Sequence, residues 1–240
     1  MSTSATLDAG DLRLPWEGEG GAKDKDTFHL VVAWSLDEPQ RLGQVAPVPS
    51  ARVLGRGAAQ PEDPAPRLVF AQQRPFATQQ MPPFSSARLS RQQLQLVPRG
   101  DRLEVTQLGR CPLLLHGEEV RSAQVGPGDV LVLKNTLVLL VLRRPRTLPP
   151  LHAWPTTPTP FGAPDAFGMV GESAALWALR DTLASVARSR HHVLLRGDSG
   201  AGKELAARAI HALSDRADRP LVSRNAATLP ERSEERRVGK

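Results

Sequence analysis

The stretch Gly197-Asp198-Ser199-Gly200-Ala201-Gly202-Lys203-Glu204 reads G-x-x-x-x-G-K, a spacing suited to holding phosphate. Glycines let the backbone curl until successive N–H groups converge on phosphate oxygens. A helix starting at the lysine adds the partial positive charge of its N-terminus, and Lys203 supplies a full charge for β- and γ-phosphates. One position departs from the general motif: Glu204 stands where a magnesium-ligating Ser or Thr is usual. Other reactive types are sparse. His191 and His192 are neighbours entering an apolar run, so their side chains would take opposite faces of a strand and make no metal pair. Cys111 is the only cysteine, which excludes an intrachain disulfide and any cysteine-rich zinc site.

The elements that would position the loop can be read around it. His192 to Leu195 has the apolar character of a buried strand. Lys203 to Leu213 places Leu205, Ala209 and Leu213 on one helical stripe. Ala174 to Ala187 repeats Leu176, Leu179, Leu183 and Val186 at helical spacing, and Leu221-Val222-Ser223 reads as a second short strand. Helix, strand, loop and helix in this order open an α/β nucleotide-binding domain.

The first half has a different texture. Short runs of strand length (Leu30 to Trp34, Arg52 to Arg56, Leu68 to Phe70, Leu94 to Val97, Leu103 to Val105, Leu113 to Leu115, Gly117 to Val120) alternate with turns such as Pro98-Arg99-Gly100-Asp101 and Gly126-Pro127-Gly128-Asp129. Val130 to Leu133 and Leu137 to Leu142 make a closing hairpin. Many short strands without a helix predict an all-β sandwich over 28–145. Residues 1–27 lack a hydrophobic period and read as a disordered leader. Pro145 to Pro164 alternates prolines with threonines and predicts an extended linker, so the division is 28–145, a linker over 146–166, and the loop-bearing segment over 167–231. Residues 232–240 turn almost wholly charged. Trp34, Trp154 and Trp177 are expected to pack, and Asp129 to serve the turn after Gly128.

Composition excludes several classes. The net charge is +6, but arginines are interleaved with acids, which fits a solvated surface better than a nucleic-acid-binding face. No apolar run reaches membrane-spanning length, and Met1 to Asp26 has no signal-peptide core. With a single cysteine, a reducing cytoplasm is the expected location.

The loop segment resembles a known family. Gly197 to Leu205, followed by Ala207-Arg208-Ala209-Ile210-His211, is similar to the sigma-54-dependent activators, the bacterial enhancer-binding proteins, which carry glutamate after the loop lysine. Gly168-Met169-Val170-Gly171 resembles that family's entry motif, and Asn225 to Glu231 the stretch after its second strand. The resemblance implies an AAA+ domain that binds and hydrolyses ATP with Mg2+, forms rings, usually hexamers, at full length, and acts on sigma-54 RNA polymerase holoenzyme at promoter DNA. By position, Gly197, Asp198, Ser199, Gly200, Ala201, Gly202, Lys203 and Glu204 would hold the triphosphate, and Val170 and Gly171 would lie by the base. Glu204 and the entry motif argue against other loop ATPases, such as transport or replication motors.

The first half resembles a forkhead-associated (FHA) domain, a sandwich that binds phosphothreonine peptides. Gly55-Arg56 stands at its Gly-Arg pair, Leu89-Ser90-Arg91-Gln92-Gln93 at its Ser-x-x-His, and Gly128 to Leu133 at its closing hairpin. The resemblance implies that Arg56 and Ser90 face the phosphate, where a guanidinium gives charge-assisted bonds. Gln93 replaces the histidine, and the family's Asn-Gly pair, due near Pro112-Leu113, is missing. A sandwich that serves only interdomain contact is therefore the alternative.

After Glu231 the resemblance stops and no Walker B strand follows. The sequence reads as a C-terminally truncated activator with an FHA sensor, or as a partner-binding FHA-like module beside an inert ATPase remnant. No catalytic residue is assigned. Residues 167–240 alone are not expected to form a stable, hydrolysing ATPase domain, because the strands that would flank Val193 to Leu195 are missing.

Overall fold

A computed structural model describes residues 26–156 and 159–224. Asn225 to Glu231, the charged segment 232–240 and residues 1–25 of the leader lie outside the described residues.

The first half folds as two antiparallel sheets. In chain order the strands are β1 (Thr27–Ser35), β2 (Val45–Val48), β3 (Arg52–Leu54), β4 (Ala71–Arg74), β5 (Ala77–Gln80), β6 (Leu94–Arg99), β7 (Arg102–Gln107), β8 (Leu113–Leu115), β9 (Glu118–Val120), β10 (Ser122–Val125), β11 (Val130–Leu133) and β12 (Leu137–Arg144). One sheet has eight strands in the order β5-β4-β2-β1-β12-β11-β8-β9, the other four in the order β10-β7-β6-β3. The spine of the large sheet is β1 against β12, and period-2 alternation sends Phe28, Leu30, Val32, Leu137, Leu139 and Val141 inward. They meet Leu94, Leu96, Leu103 and Val105 of the small sheet in one apolar core.

Glycines and side-chain caps close the turns. Gly100, with φ 62°, sits in the two-residue β6–β7 connection, and Asp129 accepts from the Gly126 N–H at 2.7 Å, in the turn role expected of it.

Trp34 is 44% exposed, against the expectation that it packs. The β1–β12 register shifts between Val32 and Trp34. This bulge breaks the alternation, turning Trp34 outward and Ser35 inward. Leu68 to Phe70 is not a strand either. It is an irregular lead into β4 that buries Leu68 and Phe70.

Beyond the sandwich stand two helices, α1 (Ala174–Ala187) and α2 (Lys203–Leu213). The Ser173 side chain caps α1 by accepting from the Leu176 N–H at 3.2 Å. The helices share a second apolar cluster built from Met169, Trp177, Leu183, Ala184, Ala206 and Ala209. The proline-rich segment is a strap laid on this cluster rather than a free tether. Trp154 is buried there, edge-on to Phe167 with centroids 5.0 Å apart. Asp181 of α1 fastens the strap by accepting from the N–H groups of His152 and Ala153, each at 2.9 Å.

The strands expected at His192 to Leu195 and at Leu221 to Ser223 do not form. Val193 and Leu194 are 43% and 57% exposed, and Val222 is 77% exposed. An apolar run becomes a strand only when neighbours take its N–H and C=O groups, and no described strand lies beside either segment.

Candidate nucleotide and phosphopeptide sites

The loop at Gly197 to Lys203 is set by backbone conformations that suit glycine. Gly197, Gly200 and Gly202 have φ of 154°, 79° and 81°. The Ala201 N–H closes a turn on the Asp198 carbonyl at 3.1 Å, and Gly202 is the N-terminal cap of α2. The loop thus lies at the positive end of an 11-residue helix. The Lys203 ammonium folds back over the loop, donating to the carbonyls of Gly197 at 2.8 Å and Asp198 at 2.7 Å. Glu204 is exposed in the first turn of α2, where an acidic residue suits the helix dipole. A glycine-shaped loop, a helix N-terminus and an ammonium together fit a polyphosphate. For a metal the fit is poorer: among the described residues no group of three or more His, Cys, Asp or Glu side chains could hold an ion.

The entry segment is held as a unit. Asp165 accepts from the N–H groups of Phe167 at 2.9 Å and Met169 at 3.0 Å, and pairs with Arg180 at 2.8 Å. Arg180, 2% exposed, donates to the carbonyls of Gly171 at 2.9 Å and Met169 at 3.0 Å. Its guanidinium also lies 4.4 Å from the centroid of the Trp177 ring. Val170 stays 60% exposed, free to meet a ligand. A side-chain carbon at Gly168 would lie 3.5 Å from Leu205, so the segment rests against α2 two residues beyond Lys203. Asp165 and Arg180 carry no motif signal in the sequence, and both were missed.

In the sandwich, Arg56 and Ser90 come together: the Arg56 N–H donates to the Ser90 carbonyl at 3.0 Å. The Arg56 Nε is buried without a hydrogen-bond partner among the described residues. The Ser90 hydroxyl accepts from the Arg110 N–H at 2.9 Å, which leaves its own proton for a ligand. Gln93, fully buried, braces this corner. Its carbonyl oxygen accepts from the N–H groups of Ser90 at 3.2 Å and Cys111 at 3.4 Å, and its amide donates to the Cys111 carbonyl at 2.7 Å. Side chains at Gly55 or Gly109 would collide with the Arg91 carbonyl or with Gln93 and Ser90. The loop facing Ser90 is thus Leu108 to Cys111, immediately before Pro112-Leu113.

A second network shapes the rim. The buried Glu38 pairs with Arg41 and accepts from the N–H groups of Ser85 at 2.9 Å and Ser86 at 3.2 Å. Burial pushes the Glu38 carboxyl up, but the Arg41 side chain and these two N–H groups outweigh it and hold it below its ordinary value. Arg41 also donates to the carbonyls of Pro82 and Pro83, fixing the chain that leads to Ser90.

A glycine-rich loop at a helix start, following a β-sandwich, is what the fold and the candidate site define. Residues 169–237 match the family model described as the Sigma-54 interaction domain, running past Glu231. The segment is 58% identical over 66 residues to the Nif-specific regulatory protein of Bradyrhizobium diazoefficiens, covering 28% of this chain and 11% of that protein. It is 57% identical over 65 residues to the transcriptional regulatory protein ZraR of Salmonella typhimurium, covering 27% and 15%. The chain thus spans under a fifth of the length of these curated relatives. Solved structures similar to the first half include the FHA domain of CT664 protein from Chlamydia trachomatis (14% identity, 48% of this chain and 96% of that one, TM-score 0.33). Another is an FHA domain from Arabidopsis thaliana (16% identity, 52% and 93%, TM-score 0.35). The sandwich is defined by its own sheet order. The chain is a mostly-β sandwich followed by a segment similar to the sigma-54 interaction domain. No described helix is long and apolar enough to cross a membrane.

Proposed function

We propose that the chain carries sensing and nucleotide-holding parts of a sigma-54-dependent transcription regulator. The observation that carries this reading is the loop from Gly197 to Glu204 at the start of α2, inside the segment that matches the Sigma-54 interaction domain. Its regulator-named relatives support the same reading. The ligand is ATP, bound as its magnesium complex. Lys203 exchanges the Gly197 and Asp198 carbonyls for phosphate oxygens, the loop N–H groups gather the chain of phosphates, and Val170 and Gly171 border the base. Magnesium arrives with the nucleotide. In a full-length regulator the partners are sigma-54 RNA polymerase holoenzyme, promoter DNA and the other subunits of an AAA+ ring, and the setting is the cytoplasm. Titrating the chain with a fluorescent ATP analogue tests this: saturable binding that weakens sharply in Lys203→Ala supports it, and a silent wild type overturns it.

A second activity is favoured by Arg56, whose buried Nε has no hydrogen-bond partner among the described residues and whose backbone N–H bonds the Ser90 carbonyl. The sandwich binds a phosphothreonine peptide, with Arg56 and the Ser90 hydroxyl on the phosphate. A phosphothreonine peptide array gives the test: capture by wild type and loss in Arg56→Ala support it, and no capture overturns it.

A further inference from the structure

The sandwich and the nucleotide segment meet around a largely enclosed cation, Arg74. Arg74 ends β4, and its guanidinium forks onto the Glu172 carboxylate, with Nε 3.0 Å from one oxygen and 3.2 Å from the other. Both side chains are nearly sealed from solvent, 12% and 5% exposed. Arg74 also donates to the carbonyls of Thr159 at 2.7 Å and Pro160 at 3.0 Å in the strap. Glu172 in turn accepts from the Gly162 N–H at 2.9 Å and the Trp177 indole at 3.2 Å. Phe76 of the sandwich meets Trp177 edge-on at 5.8 Å. An exposed ion pair adds little to stability, but a forked pair removed from water requires its partners to stay together.

What Arg74 grips decides its consequence. Glu172 directly follows Val170 and Gly171. Gly171 and Met169 hang on Arg180, and Gly168 rests against Leu205 in the first turn of α2. Covalent and packed contacts thus run without a break from β4 to the phosphate loop. We propose that Arg74 is a positioning residue for the nucleotide site: by anchoring Glu172 it fixes the entry segment over α2, so sandwich docking and nucleotide affinity are thermodynamically linked. This rests on the nucleotide reading above. Linkage is reciprocal: if docking favours nucleotide, nucleotide favours docking by the same factor.

The experiment uses the whole chain in four forms: wild type, Arg74→Ala, Arg74→Lys, and the charge-swapped pair Arg74→Glu with Glu172→Arg. Arg74→Lys keeps the charge and stem, so it serves if the alanine variant unfolds. Two quantities are read: Kd for a fluorescent ATP analogue, and the rate of proteolytic cleavage in the strap between Pro145 and Pro164, with and without saturating ATP. Arg74→Ala is expected to raise Kd by about fivefold or more. In wild type ATP slows strap cleavage; in Arg74→Ala that protection is lost, and the charge-swapped pair restores part of both effects. A purely structural arginine would not transmit ATP to the strap. Wild-type Kd and ATP protection in a folded Arg74 variant overturn the linkage and leave the nucleotide reading standing. A wild type that binds no nucleotide overturns both.

Discussion

The Lys203 ammonium donates to the Gly197 carbonyl at 2.8 Å, so the cation that should meet phosphate is held by the loop it belongs to. The loop is thereby shaped before any ligand arrives, and binding exchanges one set of oxygens for another. Preorganisation of this kind lowers the entropy cost of association.

Lys203→Ala should leave stability within about 0.5 kcal/mol, since the side chain's bonds are solvent-exposed. The same change should weaken ATP about 10- to 100-fold, the worth of a charge-assisted bond. Urea melts and a binding titration on one preparation check both numbers. Equal losses in the two would show that the lysine is structural.

Arg180→Ala should cost about 3–5 kcal/mol, because it leaves the half-buried Asp165 carboxylate without its cation, strips the Gly171 carbonyl of its donor, and leaves the Met169 carbonyl only the Asp165 N–H. Urea denaturation followed by tryptophan emission reports it, since Trp177 lies under the guanidinium. A loss below about 1 kcal/mol, the level of an exposed pair, would mean the entry segment is held by other contacts.

Gln93→Ala should destabilise the sandwich by about 1–3 kcal/mol by unpairing the Ser90 and Cys111 backbone groups. It should also abolish capture of phosphothreonine peptides, since Ser90 loses its brace. Ser90→Ala should lose capture at unchanged stability. Thermal melts beside the peptide array separate the two, and a Gln93→Ala chain of wild-type stability would remove the brace from the account.

Acid should loosen the rim. The folded pKa of Glu38 lies below its ordinary value of 4.5, so the unfolded chain binds that proton more tightly. The stability from this group is complete above about pH 4.5 and is lost as pH falls through the folded pKa. Asp181 behaves alike below its ordinary 3.8: burial raises it, but His152 and the N–H groups of residues 152–154 outweigh burial. Glu38→Gln should cost about 3 kcal/mol near neutrality and flatten the acid limb of a stability–pH profile. A variant profile parallel to wild type would show that Glu38 contributes no linkage.

The helices, the sandwich and the loop were legible because their signals are local. Leu176, Leu179 and Leu183 repeat at helical spacing, and the glycines before Lys203 announce a turn. The β4–β5 hairpin was not legible: Ala71-Gln72-Gln73-Arg74 has no apolar period, and its pairing depends on neighbours distant in sequence. Val193 to Leu195 erred the other way. Apolar composition suggested a strand, but a strand is a relation between segments, and the described chain offers it no partner. In the candidate sites, motif residues stand out in the sequence by type and spacing. The holding roles of Gln93, Asp165, Arg180 and Glu172 are not legible in the sequence, because burial and geometry, not residue type, give them those roles.

Isothermal titration of ATP with magnesium into the whole chain, wild type beside Lys203→Ala, tests the central claim most directly. The account predicts one saturable site per chain in the wild type and binding about 10- to 100-fold weaker in the variant. Heat no greater than dilution in the wild type, or equal binding by both, would contradict it.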